Sequence, residues 1–261
     1  MTAPEIVLVD VVDRVATVTL NRPESRNALN GELIETMRIR LAECEADDDV
    51  DATILTGKDP AFCAGLDLAY LAGRVEAEAS TGTVAFPESP VPAHTKPIIG
   101  AVNGAAVTGG LEVALACDFL VASERARFAD THARVGVVPG WRLSVALPEA
   151  IGVRRAKEMS ATGNFVDAAT ALNWGLVNHV VPHEELLPYC QQLGRDIASN
   201  DSVTARAIYS LYNDEAEMVD GPRATLELQR FHAWHAEGKS DAAEIERRRA
   251  GIVDRGRDQT R

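Results

Sequence analysis

The strongest constraint on this chain is an order that occurs twice: a short, largely apolar run, a turn rich in small residues, then a helix. Ala52 to Thr56 leads through the turn-rich stretch Gly57 to Asp67 into a helix read from Leu68 to Ala79. Pro97 to Val102 leads through Asn103, Gly104, Gly109 and Gly110 into an apolar helix read from Leu111 to Cys117, and Asp118 to Ala122 is strand-like again. Apolar runs this short, with no polar face, read as strands covered on both sides. Such strands alternating with helices predict a parallel α/β core.

The rest of the chain fits around that core. Glu5 to Val12 and Val15 to Leu20 predict a hairpin turning at Asp13-Arg14, closed by Asn21-Arg22-Pro23, where proline removes a backbone donor. From Asn30 to Cys44, the positions Leu33, Ile34, Met37 and Leu41 keep helical spacing. Ser80 to Lys96, with Pro87, Pro90 and Pro92, reads as an irregular loop. Further helices are predicted over Arg154–Ala161, Asp167–Trp174, Glu184–Ser199, Val203–Asn213, Gly221–Gly238 and Ser240–Val253. The expected division is a core over residues 1–195 and a helical region over 196–261, and 261 residues suit one large α/β domain or a domain plus an appendage.

Composition narrows what such a fold serves. The chain carries 26 Lys and Arg against 39 Asp and Glu, a formal charge of 26 − 39 = −13. A nucleic-acid binder needs a basic stripe to displace counterions from phosphates, so that class is excluded. The tight cluster Arg247-Arg248-Arg249 stands among Asp241, Glu244, Glu246 and Asp254 and reads as a solvated helix face. No apolar stretch approaches the ~20 residues of a membrane span. The N-terminus lacks a signal peptide's basic and apolar regions, and the expectation is a cytoplasmic protein with no membrane partner. Cys44, Cys63, Cys117 and Cys190 stand far apart with no CxxC, and they read as reduced, buried thiols with no metal site.

Two turns have the composition to expose backbone donors: Ala61-Phe62-Cys63-Ala64-Gly65-Leu66-Asp67, and Asn103 through Gly109-Gly110-Leu111-Glu112. Small residues let a ligand approach the main chain, and the first free N–H groups of a helix form an anion site. Two such groups aimed at one oxygen would make an oxyanion hole. Glu112, in the first turn of an otherwise apolar helix, has two readings: a carboxylate favoured by the helix dipole, or a partly buried acid/base beside the anion site. No GK[ST] follows the glycines, no GxGxxG pattern fits, and no GxSxG exists, so phosphate-loop, dinucleotide and nucleophile-elbow chemistries lack support.

Together these stretches resemble the enoyl-CoA hydratase/isomerase (crotonase) family. The resemblance rests on Leu20-Asn21-Arg22-Pro23 with Arg26-Asn27-Ala28-Leu29, on Ala61 through Asp67, and on Lys96 through Gly104 continuing into Gly109-Gly110-Leu111-Glu112 and Cys117-Asp118. Phe128, Gly136, Pro139-Gly140, Thr162-Gly163, Ala168-Ala169 and Gly175-Leu176-Val177 extend it, in order, over roughly residues 5 to 190. The resemblance implies an α/β spiral of ββα repeats with a helical C-terminal oligomerisation region, assembled as a homotrimer or dimer of trimers. It implies a coenzyme A thioester as substrate and no separate cofactor. The thioester oxygen would sit between the N–H groups of Ala64 and Gly109. Ala64, Gly65, Leu66, Asp67 and Leu68 would line the CoA arm, Arg26, Asn27 and Ala28 its nucleotide end, and Gly110 and Trp141 would also meet the substrate.

The resemblance also marks a departure. In family hydratases two glutamates flank the substrate, one activating water and one handling the proton at the α-carbon. Glu112 falls on the first position and His132 on the second. A histidine near pKa 6.5 exchanges protons, so His132 reads either as a second acid/base or as a residue that lines the pocket. Trp141-Arg142 adds bulk where the family often has small residues, which would reshape the acyl pocket. Asp67 is expected to cap the following helix and support the oxyanion turn, and Asp130 either faces the pocket or takes a surface or capping role. Arg22 or Arg26 would meet CoA phosphates. His232, Trp234 and His235 read as packing or subunit contacts, and Tyr209 and Tyr212 as core. The leading functional expectation is hydration of a 2-enoyl-CoA to a 3-hydroxyacyl-CoA. Double-bond isomerisation or another one-carboxylate CoA-thioester reaction, and acyl-CoA binding with little turnover, stand as alternatives.

Overall fold

A computed structural model describes residues 5–73, 87, 89–237 and 242–259. Its strands, in chain order, are β1 (Val7–Val12), β2 (Val15–Leu20), β3 (Ala52–Gly57), β4 (Ala61–Cys63), β5 (Ile98–Val102), β6 (Ala105–Val107), β7 (Phe119–Ser123), β8 (Arg127–Ala129), β9 (Val166–Asp167) and β10 (His179–Val181). The helices are α1 (Gly31–Ala46), α2 (Gly109–Leu115), α3 (His132–Val135), α4 (Leu143–Ile151), α5 (Val153–Thr162), α6 (Ala168–Trp174), α7 (Leu186–Ala198), α8 (Ser202–Ala236) and α9 (Ala242–Gln259). Residues 68–73 are helical; the rest of the helix read to Ala79 and the first part of the loop read from Ser80 lie outside the described residues.

The strands divide between two sheets, a six-stranded one in the order β1-β2-β3-β5-β7-β10 and a four-stranded one in the order β4-β6-β8-β9. β2, β3, β5, β7 and β10 run parallel, and β1 pairs antiparallel with β2 through a turn in which Asp13 (φ 51°) and Arg14 (φ 65°) are both left-handed, the geometry a two-residue hairpin requires. Each of the units β3-β4-helix 68–73, β5-β6-α2 and β7-β8-α3 gives one strand to each sheet and then a helix. That is a spiral of ββα repeats.

Burial explains the apolar runs. One face of the large sheet packs into the main core with Leu55, Phe62, Leu111 and Phe128. The other face, through Ile54, Ile99 and Val121, is covered by Leu186 and Cys190 of α7. Strands covered on both sides have no position for a polar residue to face water, and every residue of β3 and β5 is buried. All four cysteines are free and buried, as expected.

Three expectations are corrected. The stretches read purely as turns contain the three-residue strands β4 and β6, too short for any periodicity to register. The helices read over 203–213 and 221–238 are one helix, α8, running through Gly221-Pro222. Proline there deprives the carbonyl of Met218 of its helical donor, at a position that is 83% exposed. Tyr212 is not core: it is 69% exposed on α8, and Tyr209 is half-buried.

Candidate active site

The two small-residue turns meet. Leu29 donates its N–H to the Gly65 carbonyl and its own carbonyl accepts from Asp67 N–H, so Leu66 bridges Leu29 in parallel. Gly65 (φ 93°) lies so close to the second turn that a methyl on it would stand 2.7 Å from the Val107 oxygen and 3.4 Å from the Gly109 nitrogen. A methyl on Gly110 would fall 2.1 Å from the Cys63 carbonyl oxygen. Only a residue without a side chain lets α2 begin there.

This approach corrects the oxyanion assignment. The Ala64 N–H donates to the Arg26 carbonyl at 3.0 Å and is spent. Along an extended backbone, N–H groups alternate sides; with Asp67 N–H turned to Leu29, Leu66 N–H faces the opposite way, towards Gly109. A Cβ at Gly109 would lie 3.5 Å from the Leu66 nitrogen. Gly109 N–H is the first donor of α2, without an intrahelical acceptor. Leu66 and Gly109, not Ala64 and Gly109, therefore present the converging pair of donors. Sequence spacing alone does not resolve which residue of Ala64-Gly65-Leu66 turns its N–H inward.

Thr108 holds the second turn. It caps α2 at φ 53°, ψ −113°, a backbone conformation that costs a β-branched residue on the order of 1–3 kcal/mol. Its N–H donates to the Ala129 carbonyl, and its hydroxyl bonds the Thr131 hydroxyl and accepts from the Thr131 N–H. α2 and the segment carrying His132 are thereby fastened side by side.

Glu112, 3% exposed on the first turn of α2, accepts from the backbone N–H of Trp141 through Oε1 at 3.0 Å. Its Oε2 stands 3.5 Å from Nε2 of His132, and Nδ1 of His132 stands 2.6 Å from Oδ1 of Asp130. Burial on its own pushes an imidazole towards neutrality. Here it is overcome by the Glu112 charge, the hydrogen bond to Asp130 and the contact with Glu112, and His132 is raised to about 10. Asp130 is lowered: burial opposes its charge, but its hydrogen bonds with His132 and the imidazolium charge outweigh that cost. The three groups form one buried unit, carboxylate, imidazolium, carboxylate. Cys63, next to Ala64, is no nucleophile: burial pushes its thiol up to about 12.

These groups open on a cavity of about 400 Å3. Arg26, Ala28, Ala64, Leu66, Asp67, Leu68, Glu112 and His132 line it. Asn27 does not: fully buried, it donates to the carbonyls of Lys58, Ala61 and Phe62 and accepts from Arg22 N–H, tying the first turn together. Gly65, Gly109 and Gly110 are not among its lining residues: Gly65 and Gly110 are backbone spacers, and Gly109 contributes its N–H alone. Trp141 is not a wall residue either; its ring is in the core, its indole N–H donates to the Pro87 carbonyl, and its contribution to the site is the backbone N–H on Glu112. Asp67 accepts from Ala69 and Tyr70 N–H as the cap of its helix and pairs with Arg22 at 3.6 Å. Arg22 also donates to the Ala28 carbonyl, so of the two arginines considered for phosphates it is Arg26 that faces the cavity.

Sequence reasoning missed the far wall. Phe231 and His235 on α8, and Arg249, Val253 and Arg257 on α9, line the cavity, together with Arg134 and Phe165. A Cβ on Gly140 would lie 2.9 Å from the Phe231 ring, so that ring abuts the Gly140-Trp141 segment which holds Glu112. The signal was the one-turn spacing of Phe231 and His235. It marks a buried stripe, but not what the stripe is buried against. The arginine run 247–249 is exposed, but Arg249 reaches the cavity and Arg248 packs over Gly136, so it is more than a solvated face.

Against this geometry, the family model described as "Enoyl-CoA hydratase/isomerase" matches residues 11–250. The chain belongs to that family. It is 38% identical over 226 residues, 85% of this chain and 83% of the relative, to "Probable enoyl-CoA hydratase 1, peroxisomal" of Arabidopsis thaliana. To crotonyl-CoA hydratase of Syntrophomonas wolfei it is 31% identical over 96% of this chain and 99% of that protein. The crystal structure of enoyl-CoA hydratase from Mycobacterium tuberculosis H37Rv superposes with a TM-score of 0.82 at 47% identity, covering 90% of this chain and 99% of that one. The likeness extends over the spiral core and into the C-terminal helices, and the fold is the crotonase fold.

Proposed function

We propose that this protein hydrates a 2-enoyl-CoA thioester to the 3-hydroxyacyl-CoA. The observation that carries the reading is a carboxylate and an imidazolium, Glu112 and His132, facing one another at 3.5 Å in a cavity lined by Leu66, whose N–H stands beside the first N–H of α2 at Gly109. With the thioester oxygen on those two donors, Glu112 takes a proton from water as its oxygen bonds to C3. The double-bond electrons move onto the thioester oxygen, where the donors bind the enolate more strongly than the ground-state carbonyl. The enolate collapses by taking the Nε2 proton of His132 at C2. Glu112 then returns its proton to His132 and the pair is restored. Proton transfer and hydrogen bonding supply every step, so the thioester is substrate and no resident cofactor takes part. Dialysis against a chelator should leave turnover unchanged.

The decisive assay is loss of the conjugated-thioester absorbance of crotonyl-CoA. Glu112→Gln should abolish it while CoA-ester binding persists; full activity in that variant would sink the reading. Isomerisation is supported by the same facing base and acid, which can move a proton between C4 and C2, and conversion of a 3-enoyl-CoA to the 2-enoyl product without hydration would favour it. Tight binding with no turnover of either ester would point to a binding protein.

Arg26, Arg134, Arg249 and Arg257 gather on the cavity wall of a chain with net charge −13, and they are the groups suited to the phosphates of CoA. Val203, Leu211, Met218, Val219 and Leu226 leave α8 with exposed apolar positions, which supports assembly with further copies of this chain into a homotrimer or a dimer of trimers, measurable by sedimentation. Among the described residues no helix is long and apolar enough to cross a membrane. The free, buried cysteines suit the reducing cytoplasm, testable by fractionation.

A further inference from the structure

Asp130 has no part in the reaction just described, yet it is 2% exposed and makes the shortest contact of any group with His132. Its Oδ1 accepts from the His132 backbone N–H at 3.1 Å and lies 2.6 Å from Nδ1 of the ring, and the Ser160 hydroxyl hydrogen-bonds the same carboxylate. An ionised carboxylate is only an acceptor, so the hydrogen between the two must sit on Nδ1. The other ring nitrogen, Nε2, is then the one that faces Glu112 and the cavity. The ring is clamped from its own backbone and from its far side, while its reactive nitrogen is left towards the substrate.

We propose that Asp130 is a positioning residue, which fixes the His132 ring with Nδ1–H on its own carboxylate and Nε2–H directed at Glu112 and the substrate. The proposal rests on the hydratase reading for its consequence in turnover, but not for the ring state itself. It explains how a histidine stands where the family resemblance expects a glutamate. A lone buried imidazole would be neutral and free to take either tautomer; paired with Asp130 it keeps a proton on each nitrogen. Glu112 favours the same charged form from α2. The other titratable side chains facing this cavity are Arg134 on α3, Arg249 and Arg257 on α9, His235 on α8, Glu24 and Arg26 in the segment after β2, and Asp67 on the first turn. Of the carboxylates among them and beside them, Glu112 and Asp130 are the two that touch the ring.

The test pairs a ring measurement with kinetics in Asp130→Asn and Asp130→Glu. Nitrogen-15 spectra of the histidine-labelled free protein should show both ring nitrogens of His132 protonated at pH 7.5. In Asp130→Asn its titration should fall by at least about one pH unit. With crotonyl-CoA, kcat in that variant should drop about 10- to 100-fold with little change in KM, and the alkaline limb of the pH–rate profile should move down with the ring titration. Asp130→Glu should recover part of both. A wild-type ring titration and pH profile in Asp130→Asn would overturn the proposal and leave the hydratase reading standing. The expected ring shift in a protein that hydrates no enoyl-CoA would leave the positioning role and overturn the hydratase reading. If Asp130→Asn fails to fold, Asp130→Glu decides, since an unmoved titration and profile there would overturn the clamp.

Discussion

Oε2 of Glu112 stands 3.5 Å from Nε2 of His132, with both side chains less than a tenth exposed and Asp130 closing the far side of the ring. Two carboxyl groups close on one imidazole ring in a buried site. That arrangement binds the stability of the protein to the protonation of one ring.

The folded state raises His132 to about 10 from an unfolded value near 6.5. A raised pKa contributes stability that is complete below about pH 6.5 and is lost as pH rises through about 10. Urea midpoints should therefore fall between pH 7 and pH 10 by an amount equivalent to a few kcal/mol. His132→Gln should flatten that slope. An equal slope in both proteins would show that other groups set it.

Gly109 and Gly110 should respond differently to the same methyl group. Gly110→Ala places a Cβ 2.1 Å from the Cys63 oxygen, so the backbone must move, and both melting temperature and activity should fall. Gly109→Ala finds its nearest neighbour, the Leu66 nitrogen, at 3.5 Å, an ordinary contact. Its fold should survive, but the methyl crowds the space between the two donors, and the rate should drop ~10^2–10^3, as when a donor is lost. Thermal melts beside crotonyl-CoA turnover separate the two outcomes.

Asn27→Leu should cost stability rather than substrate affinity. The side-chain amide serves the carbonyls of Lys58, Ala61 and Phe62, and removing it strands buried acceptors at about 2–3 kcal/mol in all. Urea denaturation should register that loss. A selective rise in KM with an unchanged midpoint would instead make Asn27 a contact for the substrate.

Phe231→Ala should change which acyl chain is preferred. The ring lines the cavity beside Gly140, next to the backbone that holds Glu112. Space opened there should raise kcat/KM for longer enoyl esters relative to crotonyl-CoA by about tenfold, the scale of a methylene or two in an apolar pocket. A panel of chain lengths reads this directly, and parallel loss across the panel would count against it.

Much of this site is legible in the residue order, and the illegible part has a physical cause. Glu112 and the two turns are legible from residue type and spacing, whereas His132 is reached only through the family resemblance, at a position where that family has a glutamate. The donor at Leu66 is legible in neither way, because a backbone N–H carries no residue signature and its direction depends on which neighbour is already paired. Trp141 misleads for a related reason: its bulk suggests a pocket wall, while its working group is the main-chain N–H. The far wall is hidden because Phe231 and Arg249 are distant in sequence from everything they meet. Helical spacing likewise finds α1 readily, but ends α8 at Asn213 and restarts it at Gly221, where the structure has one continuous helix.

The helices that close the cavity also make ligand binding a measure of their own anchorage. Arg249, Val253 and Arg257 offer their contacts only while α9 lies against α3. A thioester seated there therefore binds the docked tail and not the detached one. By mass action, ligand at 100 times its dissociation constant adds about 2.7 kcal/mol to the docked form. Cleavage of the tail by a protease should then trace a saturation curve in CoA-ester concentration, with the same midpoint as binding. The last turns of the chain thus act as a reporter of site occupancy.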